Sequence, residues 1–88
     1  MYYVYILNRY SDDKIYIGYT FNLKRRLRGH NHGEKIWALV YHEAYKARKD
    51  ATQREKRLKH YGKALAQLKK RINHSLVMTR KVRDRLQR

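Results

Sequence analysis

Apolar and polar positions change period several times along the chain. Residues 2–7, YYVYIL, are β-branched and aromatic on both alternating faces, the pattern of a strand covered on both sides. Residues 8–13, NRYSDD, carry turn chemistry. Residues 14–19, KIYIGY, resume a strand pattern, and so short a connection predicts an antiparallel hairpin. Asn22 is a good N-cap for a helix over residues 23–31. There Leu23, Arg26, Leu27 and His30 fall within an arc of about 100° at 3.6 residues per turn. Leu23 and Leu27 are expected to bury, with Arg26 and His30 at the margin of their stripe and Lys24, Arg25 and Arg28 in solvent. Residues 31–35, with Gly33, read as a loop, and residues 37–45, WALVYHEAY, as a third strand. A second helix is expected over residues 50–59, with Ala51, Glu55 and Leu58 sharing its inner face. After a break at HYG, residues 60–62, Leu65, Leu68 and Ile72 recur at helical spacing. The order β-β-α-β-α-α predicts the α+β class, a three-stranded sheet flanked by helices.

Residues 1–73 are read as one domain and residues 74–88 as a basic C-terminal tail, in which Met78, Val82 and Leu86 trace a weakly amphipathic pattern. No internal repeat or linker divides the chain. At 88 residues the core is modest.

Charge changes the picture most. Lys and Arg number 23 against 7 Asp and Glu, a net charge of +16. Such an excess points to nucleic-acid phosphates ahead of an anionic membrane surface. There is no cysteine, which excludes disulfides and thiolate metal sites and fits a reducing compartment, so a cytoplasmic location is expected. No apolar run approaches the ~18 residues of a membrane span, and MYYVYIL does not read as a signal peptide.

Within this basic chain the junction KIYIGYTFNLKRRLRGH holds the candidate chemistry. A hairpin register symmetric about the turn would set Tyr5 and Tyr16 opposite each other, with Cβ atoms about 5 Å apart. Gly18 lies on the same face and leaves a gap, and the following helix would fold Arg26 back toward it. A phenol is a poor base at its ordinary pKa of about 10, but neighbouring cations favour the phenolate. Such a phenolate could take a proton from water. Arginine suits a phosphoryl transition state because its planar fork donates paired hydrogen bonds. Glu55 stands out as an acid facing inward, and one carboxylate suffices for Mg2+ or Mn2+, which keep several waters. The plainer reading of Glu55 is an i,i+4 pair with Lys59. His30 and His32 lack further ligands for zinc, so His30 is read as a phosphate contact or as a group that supports the residues touching the phosphate. Trp37, Tyr41 and Tyr45 could stack on bases, but their strand spacing favours packing on the sheet.

These residues resemble the GIY-YIG nuclease superfamily, in particular its small single-domain members. VYI at 4–6 stands where that family carries its first motif, and YIG at 16–18 is the second motif intact. YTFNLKRRLRGH is similar to the helix that follows, and REKRLK at 54–59 to the metal-binding helix. The resemblance covers roughly residues 2 to 73. It implies catalytic roles for Tyr5, Tyr16, Arg26 and His30, a metal-binding role for Glu55, and a match of Asn73 to an asparagine near the end of the domain. Tyr3 departs from the motif, which has glycine there. The resemblance also implies a three-stranded antiparallel sheet and metal-dependent hydrolysis of nucleic-acid backbones.

The expected function is therefore a divalent-metal-dependent endonuclease, acting on DNA ahead of RNA, with Lys24, Arg25 and Arg28 binding the nucleic acid. A basic nucleic-acid-binding module without turnover is the alternative, since it would use the same surface without Glu55. A membrane-surface or protein-interaction module is a weaker third. Without a second domain, specificity for a long site would require a homodimer or a partner protein.

Overall fold

The computed structural model describes residues 1–30 and 36–86. Its elements are β1 (Tyr2–Arg9), β2 (Ile15–Thr20), α1 (Leu23–His30), β3 (Trp37–Tyr45), α2 (Arg48–His60), α3 (Gly62–Arg71) and α4 (Asn73–Leu86). The three strands form one antiparallel sheet in the order β2-β1-β3. The loop expected at residues 31–35, with His32, lies outside the described residues.

β1 is the central strand, and its apolar residues are needed on both faces. Val4 and Ile6 join Ile17, Ala51, Leu58, Leu68, Ile72 and Leu76 in one buried cluster, which packs α2, α3 and α4 on that face. Tyr5 and Leu7 point the other way and are also buried. Above them lies α1, whose Leu23 and Leu27 are half-buried rather than enclosed. Asn22 caps this helix as its sequence predicts, its Oδ1 accepting from the Arg25 backbone N–H at 3.1 Å.

The hairpin register differs from the expected one. Tyr5 pairs with Gly18 and Leu7 with Tyr16, so the two tyrosines are diagonal neighbours, not opposite ones. The cause is the turn. Arg9 stays in β1, its N–H donates to Lys14 O at 2.9 Å, and the reversal is centred one residue later than assumed. Asp12 accepts the Arg9 guanidinium on both oxygens and the Lys14 N–H, and Asp13 takes the left-handed conformation at φ 61°. Because moving the turn centre by one residue moves the pairing by two, both tyrosines keep the same face.

The segment read as a basic tail is helical through Leu86. Leu76 and Thr79 of α4 are buried, and Arg80 reaches Asp13 of the hairpin at 3.4 Å. Its core contact comes from positions one turn apart, not from the expected stripe of Met78 and Val82, which are exposed; a polar Thr79 in the buried pair hides that face from a hydrophobicity pattern. No helix among the described residues is long and apolar enough to cross a membrane.

Tyr41 and Tyr45 are tied into the sheet, as their strand spacing predicts. Both donate to Glu43, each at 2.7 Å, and Arg54 of α2 donates to the same carboxylate at 2.9 and 3.1 Å. Burial would push the Glu43 carboxyl up, but Arg54 and the two phenols outweigh it and hold it below its ordinary 4.5. A depressed carboxyl contributes stability that is complete above its unfolded pKa and lost as pH falls through the folded one. Glu43→Gln should therefore cost about 1–3 kcal/mol near neutral pH, because it leaves a half-buried guanidinium short of acceptors. Thermal unfolding of both proteins across pH checks this: the gap should close as pH falls below about 4.5.

Candidate active site

Tyr5 is 1% exposed on the central strand, and its phenol lies over Gly18 of the neighbouring edge strand. Gly18, its partner on β2, makes this placement possible. A Cβ built on Gly18 would lie 2.3 Å from both Cζ and the hydroxyl oxygen of Tyr5. The gap anticipated beside Gly18 is thus the seat of the Tyr5 phenol. The hydroxyl shares a 3.1 Å hydrogen bond with Nε2 of His30, the last residue of α1.

Around this bond the rings close into a cluster. The Tyr5 and Tyr16 rings stack at 6.2 Å, and His30 stands edge-on to Tyr16 at 4.6 Å. Trp37 of β3 packs edge-on to Tyr16 at 6.0 Å and to His30 at 6.4 Å. The Arg9 guanidinium covers the Trp37 ring at 5.2 Å, a cation–π contact. Trp37 is a member for which the strand spacing favoured sheet packing over base stacking. Nothing in its spacing reveals the cluster, because its position depends on the β1–β3 register and on the bulge in β3 opposite Ile6 and Leu7.

Two further residues act on the same hydroxyl through their charge. Burial raises the Tyr5 pKa well above its ordinary 10.0, Tyr16 and Glu55 add to the rise, and Arg26 opposes it without winning. Of the two tyrosines that cationic neighbours were expected to favour as a phenolate, Tyr5 is not the one: desolvation outweighs the cations, and Tyr5 is a neutral phenol. His30 is pushed below its ordinary 6.5 by burial and then by Arg26, so it is neutral at pH 7 and one ring nitrogen holds a lone pair.

The structure thus brings Tyr5, Tyr16, His30 and Arg26 together, with Glu55 of α2 close enough for its charge to be felt at Tyr5. Arg26, Arg25 and His30 line a cavity of about 510 Å³ that extends to Phe21. Lys24 and Arg28 stay exposed on α1. Asn73 is exposed at the first position of α4, just beyond the end of α3 at Arg71. Glu55 is partly buried and pairs with Lys59 at 3.3 Å. Among the described residues no three His, Cys, Asp or Glu gather as a metal cage.

Comparison with known proteins agrees with this geometry. A profile of the GIY-YIG catalytic domain matches residues 1–73. A UPF0213 protein of Haloquadratum walsbyi is 39% identical over 67 residues, covering 67% of this chain and 74% of the relative. No solved structure matches the chain. The two tyrosines, the arginine and histidine of α1 and the glutamate of α2 all fall within the matched segment, and the chain belongs to the GIY-YIG family of nucleases.

Proposed function

We propose that the chain is an endonuclease that hydrolyses phosphodiester bonds, with DNA ahead of RNA as substrate and with Mg2+ or Mn2+ as cofactor. The observation that carries this reading is the cluster of Tyr5, Tyr16 and His30, with Arg26 lining the hollow beside His30 and the charges of Arg26 and Glu55 both felt at the Tyr5 hydroxyl.

Each residue then has a distinct task. Tyr16 is 38% exposed and is the tyrosine that meets water and substrate. Tyr5 is enclosed and neutral, so it orients Tyr16 and His30 rather than taking a proton as a phenolate. Neutral His30 offers a nitrogen lone pair to the proton that leaves the attacking water, directly or through the Tyr16 hydroxyl. Arg26 places its fork against the oxygens of the phosphoryl group as charge spreads over them.

Glu55 fits a metal of the Mg2+ type, since such an ion needs only one or two carboxylates when substrate phosphate and water complete its shell. Its present partner, Lys59, makes an i,i+4 pair worth about 0.3–0.5 kcal/mol, small enough to yield. A divalent ion there would neutralise phosphate charge and acidify a bound water.

A panel of DNA and RNA structures, incubated with Mg2+, Mn2+ or EDTA, tests the proposal. Cleavage with either metal and none in EDTA is expected. Glu55→Ala should bind nucleic acid as well as the parent, or better because a repulsive charge is gone, and should cut at background level. Binding without cleavage of any substrate would favour the non-catalytic module. Undiminished cleavage by Glu55→Ala would remove Glu55 from the site.

A further inference from the structure

Phe21 has no structural task. It follows the last residue of β2 and precedes the cap of α1, so neither the sheet nor the helix covers it, and it is 70% exposed. Its neighbours on both sides are fixed. Thr20 Oγ1 accepts from the Asn22 N–H at 3.1 Å and donates to Asn22 O at 3.2 Å, and Asn22 caps α1. The ring is therefore held out on a rigid backbone. A lone exposed apolar residue needs no explanation by itself, but the position of this one supplies a second observation. Three hollows meet at Phe21, and each carries a cation: Arg25 and Arg26 in the first, Lys24 in the second, Arg48 in the third. The first hollow runs from Phe21 to His30, and its volume of about 510 Å³ lies within the roughly 300–1,000 Å³ of pockets that enclose a small organic ligand.

A flat apolar ring surrounded by cations suits a nucleotide: the base stacks on the ring while its phosphates meet the arginines. Inside a duplex both faces of a base are covered by its neighbours, so a base on Phe21 must be unpaired. We infer that Phe21 is a stacking platform for an unpaired nucleobase beside the scissile phosphate, so that the chain prefers single-stranded segments such as strands, flaps or frayed ends. This inference rests on the nuclease reading only for where the scissile phosphate sits. Arg25 would hold the phosphate of the stacked nucleotide, and Arg26, with His30, the next one along the strand.

The test measures binding by the full chain in EDTA, where no cleavage occurs. The probe is a short single-stranded oligodeoxynucleotide carrying a fluorescent adenine analogue that stacking quenches, compared with the same strand annealed to its complement. Phe21→Ala should weaken single-strand binding by about 5- to 150-fold, the loss of one base–aromatic stack. It should also abolish quenching and leave duplex affinity unchanged. Phe21→Trp should retain binding and quenching, and Phe21→Leu, similar in bulk but without a π face, should behave like Phe21→Ala. Equal losses on single strand and duplex, no loss on either, or quenching that survives Phe21→Ala would each overturn the inference. Stacking on Phe21 by a protein that cuts nothing with Mg2+ would sink the nuclease reading alone. Cleavage by a protein indifferent to Phe21→Ala in this assay would sink the platform alone.

Discussion

Tyr16→Phe is expected to fold normally and to lose cleavage by ~10²–10⁴, the contribution of a positioned proton-transfer group. The ring supplies the packing: it lies 4.6 Å from His30, 6.2 Å from Tyr5 and 6.0 Å from Trp37 by centroid. Phenylalanine keeps those contacts and deletes only the hydroxyl of a partly exposed side chain. Arg26→Lys belongs to the same experiment. It keeps the charge and loses the bidentate fork, so the rate should fall more than the affinity. Single-turnover cleavage at saturating protein, with circular dichroism as a check of folding, measures both variants. Wild-type rates in both would mean that this junction is structural.

The pH dependence separates the groups further. Cleavage that needs neutral His30 should fall as pH drops through the His30 pKa, which lies below its ordinary 6.5 because of burial and the Arg26 charge. The same depression means that His30 contributes stability present above its unfolded pKa and lost as pH falls through the folded one. Arg26→Lys leaves the charge in place, so the acidic limb should not move. Arg26→Gln removes it, so the limb should shift to higher pH. Titrating the His30 ring by nuclear magnetic resonance reads this shift in a protein that no longer cuts.

The second large effect is expected from one methyl group. Gly18→Ala would set a Cβ 2.3 Å from the end of the Tyr5 side chain, closer than such contacts ever come. The Tyr5 ring has little room to yield, being 1% exposed and boxed in by Tyr16 and His30. Overpacking of this kind costs about 1–3 kcal/mol. The displaced phenol would also give up its 3.1 Å bond to His30, so cleavage should fall by more than the stability loss accounts for. Gly18→Ala should therefore melt lower and, at temperatures where it is fully folded, still cut poorly. Normal cleavage by folded Gly18→Ala would show that Tyr5 can leave its seat without consequence.

Much of the architecture was legible because it is local. The alternation in residues 2–7, the cap at Asn22 and the spacing of Leu23 with Leu27 depend on neighbours within a turn or a strand. The candidate residues were legible because their types are unusual in place, such as an inward glutamate in a chain of net charge +16. The buried face of α4 was not, since Met78 and Val82 carried the apolar pattern yet are exposed, while Leu76 and the polar Thr79 become core only against their partners. Nor was the role of Phe21, because exposure is a property of what fails to cover a side chain.

By itself the sequence determined the strands and helices of the first 72 residues, the α+β class, and the set of groups available for phosphate chemistry. Only the tertiary structure decided how those groups behave. The Arg9–Asp12 turn set the register, and the register seated the Tyr5 phenol on Gly18 rather than opposite Tyr16. Burial then made Tyr5 a neutral phenol despite the surrounding cations. Composition counts charges, but desolvation depends on which atoms exclude water from one particular oxygen, and that is settled only when α1 and the sheet close over it.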